Sequence, residues 1–210
     1  MSKSMLINSN SFSSSELEQA VKEIQSGGVV MIPTDTLYGL AVDPRNRNAI
    51  ERLFMVKGRT AANAVAMICA DLEQVEREFG LLSDLAKELS RLFWPGPLTM
   101  VIDGNNLMKN NGISLDGSVG VRVPSHPVAR ALAHAVGHPI TATSANRSGE
   151  RAPQAVTEAS KTILESVGLI LDAGELIGGL PSTIVDVRTK PVRLVRVGAI
   201  PWKDVLNSVN

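Results

Sequence analysis

Two short segments carry the side chains that are best suited to hold a nucleotide. Lys57-Gly58-Arg59 places two cations around a glycine, and Ser144-Ala145-Asn146 offers a hydroxyl and an amide. A guanidinium can bind two phosphate oxygens at once, and glycine lets backbone approach a ligand closely. Each segment also has a plain structural explanation, because cations favour helix C-termini and polar residues favour loops. Together the two segments predict a nucleotide-using enzyme.

Three further polar groups follow apolar runs. Thr34-Asp35-Thr36 comes after Val29–Ile32 and suits a small polar substrate, or else a capped turn. Arg122 stands in an otherwise apolar strand, where its charge requires an anion, either a substrate group or a carboxylate of the chain. The glycine-rich turn 178–183 carries two hydroxyls but lacks the lysine of a Walker loop, so any nucleotide site is of another type.

Composition limits the function classes. The 210-residue chain has 21 Lys plus Arg and 21 Asp plus Glu, so any anion site must be local. Two Trp, one Tyr and four Phe argue against binding single-stranded nucleic acid by base stacking. The single Cys69 excludes an internal disulfide, and the three His show no zinc spacing, so we assign no protein side chain to a metal. Without a long apolar run, we expect a soluble cytoplasmic protein.

The elements that must position these groups alternate between strand and helix. Hydrophobic periodicity predicts strands at about 29–32, 64–69, 98–102, 119–123, 139–143, 169–171, 183–187 and 192–197. It predicts helices at about 16–24, 48–56, 72–79, 83–93, from 125 onward, and 155–167, with a long surface loop at 103–118. The pattern predicts an α/β fold with a mixed sheet flanked by helices and ligands at the loops beyond strand ends. We expect one domain over 1–210, with a core at about 16–200.

Six motifs occur in a fixed order along the chain. They are P-T-D-T-L-Y-G-L from Pro33, F-M-V-K-G-R from Phe54, W-P-G-P-L-T from Trp94, V-G-V-R-V-P-S-H-P from Val119, T-S-A-N-R-S-G from Thr143 and P-S-T-I-V-D from Pro181. In this order they resemble the YrdC-like family of threonylcarbamoyl-AMP synthases, over roughly residues 16–200. The segment after Arg59 departs from the family because it lacks two prolines, and we expect no C-terminal extension domain.

The resemblance implies a twisted sheet around a large, positively lined, concave cavity. It also implies a nucleotidyltransferase that makes threonylcarbamoyl-AMP and pyrophosphate from L-threonine, bicarbonate and ATP, with Mg²⁺ accompanying the ATP. The product would serve tRNA threonylcarbamoyladenosine synthesis through a downstream threonylcarbamoyl transferase complex. Two alternatives stay open: a carbamoyl-adenylate-forming relative, and a double-stranded RNA-binding or ribosome-maturation module. Zero net charge and few aromatics count against the RNA-binding alternative.

The same resemblance assigns roles to individual residues. The threonine group is Thr36, Arg122, Ala142 and Ser182. The ATP group is Lys57, Arg59, Asn63, Ser118, Ser144, Asn146, Ala152 and Arg196, with Ala142 and Ala152 contributing through backbone. The residues predicted to act in catalysis are Lys57, Arg59, Ser144 and Asn146.

Overall fold

A single mixed sheet runs through the protein. The computed structural model describes residues 3–58, 65–104, 111, 113–114 and 116–209. Within these residues the strands are β1 Lys3–Leu6, β2 Val30–Ile32, β3 Gly39–Ala41, β4 Ala66–Ile68, β5 Leu98–Asp103, β6 Ser118–Arg122, β7 Ile140–Ser144, β8 Leu169–Asp172, β9 Thr183–Asp186 and β10 Arg193–Arg196. Their order in the sheet is β1-β8-β2-β3-β7-β4-β6-β5-β9-β10, with parallel and antiparallel neighbours.

The helices cover both faces of this sheet. In the described part of the chain they are α1 Ser14–Gln25, α2 Arg47–Lys57, α3 Leu72–Phe79, α4 Asp84–Phe93, α5 Pro127–Val136, α6 Lys161–Ser166 and α7 Trp202–Asn207, with a 3₁₀ turn at Val156–Glu158. None of these helices is long and apolar enough to cross a membrane.

Local sequence explains where the first two helices begin and end. Ser13 caps α1 in a reciprocal pair with Glu16, which satisfies N–H groups at the helix start. The Asn46 side chain accepts a hydrogen bond from the first turn of α2. Gly58 ends α2 in the left-handed region at φ 61°, a conformation that favours glycine. This end places Lys57 beside the last residue of β7, Ser144.

Strand β2 shows how the core is divided between the two faces. Val30 and Ile32 pack in one apolar cluster with Ile24 of α1, and Met31 packs in the other cluster with Leu53 of α2. All three β2 side chains are fully buried, because helices lie on both sides. The sheet is therefore the middle layer of three.

Strand pairing brings distant loops to one place. Antiparallel β3 lies between β2 and β7, with Gly39 opposite Ser144. Parallel β5 and β9 set Leu98 opposite Thr183. The turn that precedes β3, the end of β7 and the start of β9 thus meet around one region of the sheet.

The predicted α/β class with a mixed sheet is confirmed. The single helix predicted over 155–167 is wrong: Ala159 is extended and Ser160 caps a separate α6, so the segment is a 3₁₀ turn and a short helix. Strands β1 and β3 and helix α7 were not predicted. Much of the predicted 103–118 loop, namely 105–110, 112 and 115, lies outside the described residues.

Candidate active site

A cavity of about 580 Å³ opens where these loops meet. Its volume lies within the roughly 300–1,000 Å³ that is usual for ligand pockets. Nine of the residues predicted as site residues line it: Thr36, Lys57, Arg122, Ala142, Ser144, Asn146, Ala152, Ser182 and Arg196. The fold therefore brings these nine residues to one cavity, while their individual roles stay predictions.

Three predicted residues are not brought into this lining. Arg59 and Asn63 lie outside the described residues. Ser118 begins β6 away from the cavity, and its hydroxyl donates to Asp116 Oδ1 at 2.6 Å. The Asp116 carboxylate also meets the Arg188 guanidinium at 3.1 Å. Ser118 is therefore part of a surface polar network in this structure.

Lys57 anchors one end of the cavity. The last residue of α2, it is only 2% exposed, and its ammonium donates to the Ser144 carbonyl and to Asn146 Oδ1 at 2.9 Å. Ser144 Oγ also donates to Asn146 Oδ1. The C-terminal end of the α2 dipole favours this cation. The two segments that suggested a nucleotide site thus form one hydrogen-bonded unit with a fixed positive charge.

Gly58 has a second structural role beside this unit. A Cβ at this position would lie 2.7 Å from Arg147 Nη2, so the glycine leaves room for that guanidinium, which would otherwise have to move aside. Ser148 N–H also donates to the Lys57 carbonyl at 3.0 Å. The loop after β7 is therefore held against the end of α2. Arg147 belongs to the T-S-A-N-R-S-G motif, which was the sequence signal for its position.

Arg122 occupies another wall of the cavity. It is 6% exposed, and its Nη1 donates to Thr36 Oγ1 at 3.2 Å and lies 3.4 Å from Asp35 Oδ1. Both possibilities raised by the sequence are thus present: a carboxylate of the chain lies beside Arg122, and the guanidinium lines the cavity. Its other N–H groups have no hydrogen-bond partner among the described residues, so they remain available to a ligand.

Arg196 lies near Arg122 and adds a second cation. Its guanidinium donates to the Ser182 carbonyl at 2.8 Å and to Ser182 Oγ at 3.0 Å. Burial lowers the pKa of Arg196, and the Arg122 charge lowers it further. Burial likewise lowers the pKa of Arg122, an effect that Asp35 opposes. Both groups stay protonated at neutral pH because a guanidinium titrates far above it.

The field in this part of the cavity favours an anion. Among the described residues, Asp35 is the acid that forms an ion pair with Arg122. Neither carboxylate oxygen of Asp35 accepts a hydrogen bond from the described residues. Asp35 offsets the charge of the buried Arg122, and the nearby Arg196 adds a second positive charge that makes no ion pair with a carboxylate of the described residues. A ligand carboxylate or carbonate would neutralise it.

Thr99 was missed as a site residue. It lies in β5, is 2% exposed, lines the cavity, and places its Oγ1 2.8 Å from Ser182 Oγ. The sequence did contain a signal for this residue, because Thr99 is the last residue of the W-P-G-P-L-T motif. Within the described ranges, no group of three or more His, Cys, Asp or Glu side chains could hold a metal ion.

Comparison with known proteins identifies relatives of this chain. The Sua5/YciO/YrdC family model, described as "Telomere recombination", matches residues 22–198. Threonylcarbamoyl-AMP synthase of Vibrio vulnificus strain YJ016 is 36% identical over 188 residues, covering 88% of this chain and 99% of that protein. Threonylcarbamoyl-AMP synthase of Pyrococcus abyssi is 34% identical over 182 residues, covering 87% of this chain and 54% of that protein.

A solved structure extends the similarity to the fold. The crystal structure of P. abyssi Sua5 complexed with L-threonine matches with a TM-score of 0.91 at 30% identity. The match covers 99% of this chain and 61% of that one. The chain thus spans little more than half of the P. abyssi synthase but nearly all of the Vibrio protein.

Proposed function

The chain belongs to the Sua5/YciO/YrdC family, and from this premise we propose that it is a threonylcarbamoyl-AMP synthase. It would form threonylcarbamoyl-AMP and pyrophosphate from L-threonine, bicarbonate and ATP. One observation carries the proposal: a single cavity of about 580 Å³ is lined by Lys57 and by the pair Arg122 and Arg196. A triphosphate and an amino-acid carboxylate are both anions, and the reaction requires them in one chamber.

Arg122, Thr36 and Ser182 are the groups that would hold threonine. The uncommitted N–H groups of Arg122 suit a carboxylate, which accepts two parallel hydrogen bonds from a guanidinium. Thr36 Oγ1 lies 3.2 Å from Arg122 Nη1, so a ligand on the guanidinium would also meet this hydroxyl. The P. abyssi relative bound L-threonine in a structure of the same fold, which supports an amino-acid site in this chain.

Lys57, Ser144 and Asn146 are the groups that would face the nucleotide. Lys57 supplies a buried positive charge that its neighbours hold in place, so it would meet the phosphates without reorganising. The other members of the ATP group expected from the family are Arg59, Asn63, Ser118, Ala152 and Arg196, of which Ser118 is outside the cavity lining in this structure. ATP would enter with Mg²⁺, and the ion would keep phosphate oxygens and water as its ligands, as Mg²⁺ often does.

The chemistry then needs position and charge more than a reactive side chain. The threonine ammonium would first lose a proton, and the resulting amine would then attack the carbon of bicarbonate, with water leaving, to give a carbamate. A carbamate oxygen would attack the α-phosphorus of ATP as pyrophosphate leaves. Holding both reactants in line and neutralising phosphate charge accounts for such a transfer without a covalent enzyme intermediate.

The product would be used in tRNA modification. A mixed carbamic–phosphoric anhydride is an activated acyl donor, so a downstream transferase complex would pass its threonylcarbamoyl group to a tRNA adenosine. For this use the protein would act in the cytoplasm. RNA binding by this chain itself is not required for the proposed reaction.

The test is to incubate the protein with ATP, L-threonine, bicarbonate and Mg²⁺ and to measure pyrophosphate and the nucleotide product. We expect both to depend on threonine and bicarbonate. Carbamoyl phosphate in place of threonine and bicarbonate separates the carbamoyl-adenylate alternative. Salt-sensitive binding to double-stranded RNA with no threonine-dependent turnover would overturn the proposal in favour of the RNA-binding alternative.

A further inference from the structure

Thr99 and Ser182 form a buried hydroxyl pair across two strands. Thr99 belongs to β5 and Ser182 immediately precedes β9, and their Oγ atoms are 2.8 Å apart. Thr99 is 2% exposed and Ser182 is 8% exposed, and both line the cavity. Two hydroxyls at this distance share one hydrogen, so the neighbouring groups decide which oxygen donates.

Arg196 limits the hydrogen bonds that the Ser182 hydroxyl can make. The Arg196 Nη2 group donates to Ser182 Oγ at 3.0 Å, and a guanidinium never accepts. One lone pair of Ser182 is therefore occupied. Among the described residues, Ser182 Oγ is also the only hydrogen-bond partner of the Thr99 hydroxyl. Because a buried hydroxyl hydrogen without an acceptor is costly, Thr99 donates to Ser182.

Ser182 then accepts two hydrogen bonds and keeps its own hydrogen. A hydroxyl has two lone pairs and one donor, so the remaining interaction of Ser182 is donation. Ser182 is the more exposed of the two hydroxyls, and the cavity is where its hydrogen can find an acceptor. A ligand carboxylate is an acceptor only, and it matches this donor.

We propose that Thr99 is a positioning residue that fixes Ser182 as a hydrogen-bond donor to the carboxylate of the amino-acid substrate. Thr99 acts through Ser182, while Arg196 holds the same oxygen from the other side. The inference rests on the proposed function for the identity of the ligand. It assigns to the threonine of W-P-G-P-L-T a specific task in substrate binding.

The test is calorimetric titration of L-threonine into the full chain, which requires no turnover. Thr99→Val keeps the shape and removes the donor, and we expect about 5- to 10-fold weaker threonine binding from one lost hydrogen bond near a charged ligand. Thr99→Ser restores the hydroxyl and with it the affinity. The affinity for a non-hydrolysable ATP analogue stays unchanged in both variants.

A double-mutant cycle separates positioning from direct contact. If Thr99 acts only through Ser182, then Thr99→Val has no further effect in a Ser182→Ala background. Thr141→Val is the matched control, because Thr141 is a fully buried strand threonine outside the cavity lining whose hydroxyl accepts from Val42 N–H. It loses stability while keeping threonine affinity.

Three outcomes contradict the inference. Unchanged threonine affinity in Thr99→Val overturns it, and so does an effect of Thr99→Val that is fully additive with Ser182→Ala. Equal weakening in Thr141→Val also overturns it, since the loss would then report stability. If the unaltered protein binds no threonine at all, the proposed function itself fails, which is a distinguishable result.

Discussion

Removing the Lys57 charge is the most direct test of the nucleotide end of the cavity. Lys57→Met keeps a long unbranched side chain in the same space but deletes the ammonium. The Ser144 carbonyl loses a donor, whereas Asn146 Oδ1 still receives the Ser144 hydroxyl. The packing and part of the hydrogen bonding therefore survive, and the main loss is the cation that would meet the phosphates.

The expected magnitude follows from burial. Lys57 is 2% exposed, so its charge is poorly screened by water. A hydrogen bond from a charged donor contributes about 1.5–3 kcal/mol. At about 1.4 kcal/mol for each factor of ten, kcat/KM for ATP should fall by about 10- to 150-fold. The affinity for threonine should stay the same, because Arg122 and Ser182 are untouched.

The assay is pyrophosphate release as a function of ATP concentration, with threonine binding followed by calorimetry. Lys161→Met is the matched control, since among the described residues its ammonium makes only an exposed pair with Glu165 at 3.7 Å, and such pairs contribute little. Circular dichroism checks that both variants are folded. An unchanged kcat/KM for ATP in Lys57→Met, or equal losses for ATP and threonine affinity, would refute the reasoning.

Three further predictions concern titration and the remaining site residue. Burial raises the pKa of Tyr38, the only tyrosine of the chain, to about 12. Its tyrosinate absorbance should titrate there in the native protein and near 10 in denaturant. The stabilisation by neutral Tyr38 is then complete below pH 10 and is lost as pH rises through 12, and a native midpoint near 10 would contradict its burial. The Arg188 guanidinium lowers the pKa of Asp186 from its ordinary value. This ion pair stabilises the fold at neutral pH, and the stabilisation is lost as the pH falls below about 3.9, the pKa of aspartate in the unfolded chain. The difference in Tm between wild type and Asp186→Asn should therefore shrink in acid. A constant difference would show that the Asp186 charge does not contribute to stability. Ser118→Ala should leave the KM for ATP unchanged, because the hydroxyl is bonded to Asp116 away from the cavity; a clear rise would show that it reaches the nucleotide.

The site illustrates how far residue types can be interpreted without coordinates. Lys57, Asn146 and Arg122 were recognisable as candidate site residues, because a cation or an amide at the end of an apolar helix or strand has few structural roles. Thr99 was not, since a threonine in a strand is ordinary, and its value depends on Ser182, which is 83 residues away. Position in a motif indicated that Thr99 belonged to the family pattern, but not what it does.

The sequence by itself determined the secondary-structure types, the α/β class and the chemical inventory of the cavity. Those properties depend on periodicity, caps and side-chain identity, which act over a few residues. Strand order, the short β3 and the broken helix before α6 depended on packing between distant segments, and local propensity is weak there. Only the tertiary structure decided that Arg122 pairs with Asp35 while Arg196 binds Ser182, and that Thr99 reaches Ser182. Such relations depend on distances between elements, and no local pattern encodes them.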